Sequence, residues 1–427
     1  MYLILRKKRI SEQALLVILI LPLFIRAEFV SALEFSLFFI LLIKSKKLVK
    51  KELAPKLMPL FFLLIIGLHG FIENSLYDFL KDFWYISKSI PQITIGFLLM
   101  NKIRSANSLL KIIIVASLIA SFVHVSGFLY NQDLFLMDFK QIRNEYQRGF
   151  TLTVIGLSVI VAMKYYRLTI IRNTLFIPCY LLILSVSLFL SYSRTLWISL
   201  VIFFFVFINN YNSRLVFKVI VLLTIITVTL TIGYLTNMFQ YIDTANTVTF
   251  IGKIFHSINE VIPKNYFSLS EINQNWRGYE SYMAIKGLIN SNSLIFGKGF
   301  GALTDLELYM LLGDRELRFI PILHNAYIYI LLKTGLVGLS IYILFFYKLL
   351  FAIKARPLVR RGGYDLVCVK LYQGSIIVLI FSSFVISGIF NKSACNPLII
   401  LSGALFFFLS ERTNRNFGSK NIQSAIC

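Results

Sequence analysis

Apolar runs of bilayer-crossing length recur along the whole chain, and that recurrence leaves few architectures open. In hydrocarbon every peptide N–H and C=O must be bonded internally, which only helices and closed barrels achieve. The runs here are continuous rather than alternating, so helices are expected instead of barrel strands. Their approximate limits are 11–26, 29–43, 57–73, 83–100, 109–130, 150–166, 174–192, 195–211, 215–236, 322–350, 368–390 and 396–411. Most are near the roughly 20 residues a helix needs to cross the hydrocarbon. The first two are short and carry Glu12 and Glu34, so the reading is 12 spans, or 10 if those two do not cross. Composition agrees: 15% of residues are charged, where a soluble chain carries about a quarter. The expected class is an all-α, polytopic integral membrane protein.

The net charge of +23 suggests nucleic acid until its placement is considered. With the N-terminus placed in the cytoplasm, the loops assigned inside hold 27 of the 43 basic residues, while only 4 of the 20 acids fall inside or next to them. That segregation is the positive-inside pattern, with both termini inside, and no basic domain remains to track a duplex. Arg6-Lys-Lys-Arg9 precedes the first run with no small-residue cleavage site after it, so no removed leader is expected. Cys179, Cys368, Cys395 and Cys427 have no metal or disulfide spacing. His69, His124 and His256 have no ligand spacing either, and no metal site is expected.

This topology divides the chain into an N-terminal bundle of nine spans (1–236), a large extracytoplasmic loop (237–321) and a C-terminal bundle of three spans (322–427). A loop of that length is usually a lid or binding element. After Trp276, the residues Tyr279, Met283, Ile285, Leu288 and Ile289 recur at mixed helical spacing. They predict a short amphipathic helix on or over the membrane surface.

Three basic side chains are expected at the outer face. Arg194 lies at the turn before a span; it either snorkels to headgroups or grips a phosphate with its planar fork. The N-terminus of the following helix would present unpaired N–H groups to the same anion. Arg277 opens the predicted loop helix, where the plain alternative is an i,i+3 pair with Glu280. His324 stands where the loop re-enters the membrane, either anchoring that helix or acting as a base near neutral pH, with Asn325 to orient it. Arg143 and Arg148, in the outer loop before the sixth span, are either lipid-phosphate ligands or exposed surface charge. Gly297-Lys-Gly-Phe-Gly301 lacks the Walker A pattern and is read as a turn permitting close backbone approach.

The order and setting of these residues say more than any one of them. Ser193-Arg194-Thr195 opens a span, and Arg277 precedes Ile295-Phe-Gly-Lys-Gly-Phe-Gly301. His324-Asn-Ala-Tyr-Ile-Tyr-Ile-Leu-Leu-Lys-Thr-Gly335-Leu-Val-Gly338 follows. Over about 185–345 the chain resembles the bacterial O-antigen ligase and O-antigen polymerase superfamily of membrane glycosyltransferases. One departure is visible: an acidic residue is common shortly before the glycine pair, and Lys333 stands there instead.

The resemblance implies a donor that is a polyisoprenyl-pyrophosphate-linked oligosaccharide, undecaprenyl pyrophosphate being the bacterial carrier. Arg194 and Arg277 would neutralise the pyrophosphate, and His324 would activate or orient the acceptor hydroxyl. Arg143, Arg148, Asn325 and Tyr327 are further substrate-binding candidates. No cofactor or metal is demanded, because the pyrophosphate linkage is itself activated. The implied partners are the lipid-linked donor, a glycan acceptor, membrane lipid and a chain-length regulator, in the inner membrane. Two acceptors fit: another lipid-linked repeat unit, for a polymerase, or a lipid A-core sugar, for a ligase. The polymerase is preferred because such enzymes are more widespread. A polysaccharide or lipid transporter or flippase is the non-enzyme alternative, and only Lys88 and Pro91 in the fourth span lean toward it.

Overall fold

The computed structural model describes residues 2–130, 151–171, 173–191, 193–208, 260–266, 268–312, 315–353, 363–390 and 394–423. It is an all-α membrane bundle carrying one small hairpin. The helices are α1 (Tyr2–Ile20), α2 (Ala27–Leu48), α3 (Ala54–Gly67), α4 (Leu76–Ser87), α5 (Ser89–Ile103), α6 (Ala106–Tyr130) and α7 (Thr151–Tyr165). There follow α8 (Ile177–Leu190), α9 (Arg194–Ile208), α10 (Leu269–Gln274) and α11 (Trp276–Asn290). Strands β1 (Thr304–Leu312) and β2 (Arg315–Ile320) precede α12 (Ala326–Leu350), α13 (Gly363–Val385) and α14 (Asn396–Gln423).

Every expected span within the described residues overlaps a helix; the ninth, 215–236, lies outside them. Among the described residues, four helical stretches are long and apolar enough to cross a membrane: Ser45–Glu73, Ala106–Tyr130, Ala326–Leu350 and Gly363–Val385. Three shorter apolar helices are α7, α8 and α9. The first expected span is shifted, because Pro22 opens a single 3₁₀ turn that ends α1. The expected fourth span is two helices meeting at Lys88. Pro91 has no N–H to give to the carbonyl of Ser87, so the helix loosens there. Lys88 is buried beside the Tyr85 ring, its ammonium 5.6 Å from the centroid. Lys370, counted with an inner loop, lies within α13 and donates to the Val206 carbonyl at 2.8 Å near the C-terminal end of α9.

Residues 89–100 of α5 and 396–409 of α14 form the centre of the bundle, buried on every side and mostly apolar around their circumference. Their backbones touch at Gly96 and Gly403: a Cβ at Gly96 would fall 1.9 Å from the Ile400 carbonyl oxygen. Small residues at such a crossing allow the close van der Waals packing that holds helices together in lipid.

The segment between α11 and β1 is stitched into this bundle at a break in α12. Gly335 adopts φ 65°, ψ −166°, which no regular helix contains. The break parts the helical bonds that would join the N–H groups of 336 and 337 to the carbonyls of 332 and 333. All four groups find partners in the segment after α11. Lys298 and Gly299 donate to the carbonyls of Leu332 and Lys333 at 2.8 and 3.0 Å, while Leu336 and Val337 donate to those of Leu294 and Ile295 at 2.9 and 3.2 Å. A Cβ at Gly335 would meet the Ile295 carbonyl oxygen at 2.1 Å, so only glycine allows this approach. Phe300 and Gly301 continue the strap, donating to the Gly67 carbonyl at 3.0 Å and to Asp82 Oδ2 at 2.6 Å.

Asp82 also accepts from the Tyr329 hydroxyl at 2.5 Å and pairs with Lys333 Nζ at 2.6 Å, both ends fully enclosed. Lys333 donates further to the Ala302 carbonyl. The cation that replaces an acid in α12 is therefore answered by an acid from α4. Lys333→Met should strand the Asp82 carboxylate and cost about 3–5 kcal/mol. Asp82→Asn combined with Lys333→Met should recover much of that loss. Thermal unfolding in detergent checks both, and a wild-type unfolding temperature for Lys333→Met would contradict the account.

Candidate functional site

Arg194 and Arg277 each stand in the first turn of a 15-residue helix, α9 and α11. A helix N-terminus carries about half a positive charge, so cations are electrostatically misplaced there. The Glu260 carboxylate offsets part of that cost for both. Glu260 accepts from Arg194 Nη2 through Oε2 at 2.8 Å, and Arg277 Nη1 lies 3.3 Å from its Oε1. The Glu260 main-chain carbonyl accepts from the Gly278 N–H at 2.7 Å, seating the segment on the start of α11. A side chain at 278 would strike the Ile262 carbonyl oxygen at 2.3 Å, hence glycine beside Arg277. Among the described residues both guanidiniums, each in the first turn of a helix, meet the Glu260 carboxylate, an arrangement suited to an anion.

One helical turn along α11, about 4.5 Å of rise, Glu280 reaches the third residue. Both its oxygens lie 3.1 Å from His324 Nδ1, and Oε1 also accepts the His324 main-chain N–H. Glu280 is enclosed, whereas the imidazole is half-exposed. The carbonyl of His324 accepts from the Ser387 N–H at 2.6 Å, and Ser387 Oγ donates to the Leu323 carbonyl at 2.9 Å. Glu260 thus holds Arg194 and Arg277 together, and Glu280, three residues after Arg277 on α11, holds His324. Neither acid was singled out for this part by sequence; Glu280 was considered only as a neighbour for Arg277.

Asn325 caps α12, its Oδ1 accepting from Tyr327 and Ile328 N–H at 3.0 and 3.3 Å. Tyr327 is turned into the bundle, with its hydroxyl donating to the Ile380 carbonyl at 3.1 Å and its ring 4.3 Å from that of Phe384. Arg143 and Arg148 lie outside the described residues. The glycine segment 297–301 is the strap described above; the Gly297 N–H is given to the Ser293 carbonyl and those of 298–301 to α12, Gly67 and Asp82.

The β-hairpin backs α11. The Tyr279 hydroxyl donates to the Leu306 carbonyl at 2.7 Å, and Lys286 meets Glu307 at 2.8 Å. Burial pushes the Tyr279 phenol above its ordinary range. The Arg318 guanidinium, hydrogen-bonded to Asp305 across the strands, holds that carboxyl below its own. The hairpin was not expected, although Gly313-Asp314 between two apolar stretches is a turn signal that could have revealed it.

Residues 179–343, the segment carrying Arg194, Arg277 and His324, match the family model described as O-antigen ligase. The chain is similar to the O-antigen ligase family over that segment. Among curated proteins none matches the chain. The matched segment contains α9, α11, the strap and most of α12.

Glu260→Gln should release both guanidiniums for an external anion. Half-saturating inorganic pyrophosphate, read as a rise in unfolding temperature, should fall about tenfold or more. An equal concentration for variant and wild type would show that the carboxylate does not occupy an anion site.

Proposed function

We propose that the protein is a membrane glycosyltransferase that polymerises polyisoprenyl-pyrophosphate-linked oligosaccharide repeat units into O-antigen or a related surface polysaccharide. The observation that carries this reading is the sharing of Glu260 by two arginines, one turn from the residue that holds His324. In turnover the donor pyrophosphate takes the place of the Glu260 carboxylate between Arg194 and Arg277. Their donors stabilise the charge that develops on the leaving group. His324 accepts the proton of the acceptor hydroxyl as its oxygen attacks the anomeric carbon, and a single displacement inverts that carbon. The leaving group is already activated, so neither ATP nor a metal is needed. The basic-loop distribution supports an inner-membrane protein with cytoplasmic termini and the site on the opposite face.

A second reading has its own support. The family model is described as O-antigen ligase, and a ligase would transfer the same donor's glycan to a lipid A-core sugar. The acceptor alone separates the two, and the chemistry at the arginines and histidine is common to both.

Arg194→Ala, Arg277→Ala and His324→Ala should each abolish long-chain glycan on gels at normal membrane abundance. Arg194→Lys should also impair it, because a point charge cannot reproduce the fork. Single repeats left attached to the core indicate a polymerase, and long chains left on the carrier lipid indicate a ligase. Normal glycan in all three alanine variants would overturn both readings.

A further inference from the structure

A carboxylate stays ionised inside a protein only where donors replace its water, and Glu280, 1% exposed, directs both oxygens at one residue. Oε1 accepts the main-chain N–H of His324, and both oxygens lie 3.1 Å from Nδ1. An ionised carboxylate can only accept, so the ring nitrogen facing it must carry the proton. In the neutral imidazole that leaves the lone pair on Nε2, and the side chain as a whole is half-exposed. The main chain around the histidine is fixed independently by the Ser387 contact and the Asn325 cap. The ring's tautomer and its rotation about the side-chain bonds are therefore what Glu280 adds.

We propose that Glu280 is the positioning residue of the transfer reaction: it holds His324 in the Nδ1–H form and presents Nε2 to the acceptor hydroxyl. This rests on His324 being the base. As the acceptor oxygen bonds to the anomeric carbon, its proton passes to Nε2. The bond from that carbon to the pyrophosphate oxygen breaks, and its electron pair leaves on the pyrophosphate. The imidazolium so formed lies against the Glu280 carboxylate until it returns the proton to solvent. Glu280 touches no substrate and acts only through the ring.

Glu280→Gln is the sharp test, because it alters tautomer rather than shape. With its Oε1 kept on the main-chain N–H, the amide nitrogen takes the place of Oε2 and donates to Nδ1. The ring proton is then forced onto Nε2, and the lone pair no longer faces the acceptor. Turnover of a lipid-linked donor should fall at least about 100-fold in kcat, with donor KM held within about twofold. Solid-state nitrogen NMR of histidine-labelled protein in lipid reads the tautomer directly, the His324 signal being assigned by its loss in His324→Asn. The expected spectra show the proton on Nδ1 in the wild type and on Nε2 in the glutamine variant. A wild-type proton on Nε2, or an unchanged tautomer in the variant, overturns the proposal whatever the turnover. If the variant does not reach the membrane, the wild-type spectrum alone decides. A tautomer that switches while turnover is unchanged sinks the reading of His324 as base and leaves the Glu280 contact standing.

Discussion

A peptide segment can enter a membrane bundle only if each N–H and C=O it brings finds a partner there. The strap between α11 and β1 meets that condition by opening a helix. At Gly335 two turn-to-turn bonds of α12 are given up, and the four freed groups bind Leu294, Ile295, Lys298 and Gly299 instead. The break lies about 14 Å along α12 from its start, so the loop is anchored well inside the bundle rather than laid on its surface. The Asp82–Lys333 pair closes the arrangement from below, with Gly301 and Tyr329 satisfying the remaining carboxylate valence. Such a pair contributes little net stability over an apolar core, but it tolerates no single loss. That makes it a device for fixing one position of the loop.

The site inherits its geometry from that anchor. Helix α11 precedes the strap and α12 follows the hairpin, so pinning the strap to α12 sets where Arg277 and Glu280 stand relative to His324. Glu260 then ties α11 to the start of α9, bringing in Arg194. The result places cations at helix N-termini, against the helix dipole, a choice that favours binding an anion over stabilising the helices. Precise positioning matters for transfer chemistry, because small displacements of reacting groups cost large factors in rate.

Much of this was legible in the sequence. Apolar length alone located the helices, since a membrane imposes one length and one backbone solution on every span. The resemblance read over about 185–345 coincides closely with the matched segment 179–343. Arg194 and His324 were singled out because charged residues are conspicuous at the ends of apolar runs, and Arg277 because it opens the loop helix. Their partners were not. Glu260 is one acid in a long polar loop, and Asp82 stands 219 residues from Gly301, so nothing local marks either. The proline at 91 was seen but not its effect, because hydropathy does not register a missing N–H. The hairpin was overlooked for a similar reason: its apolar positions alternate, and in so apolar a chain alternation is easily lost.

The central claim is that a diphosphate sits where the Glu260 carboxylate now lies. Its most direct test is a structure of the protein in a lipid nanodisc with a polyprenyl diphosphate bound. The account predicts phosphoryl oxygens within hydrogen-bond reach of both Arg194 and Arg277, with Glu260 displaced and His324 open to an acceptor beside them. A diphosphate bound elsewhere, with the Glu260 contacts to both arginines intact, would contradict it.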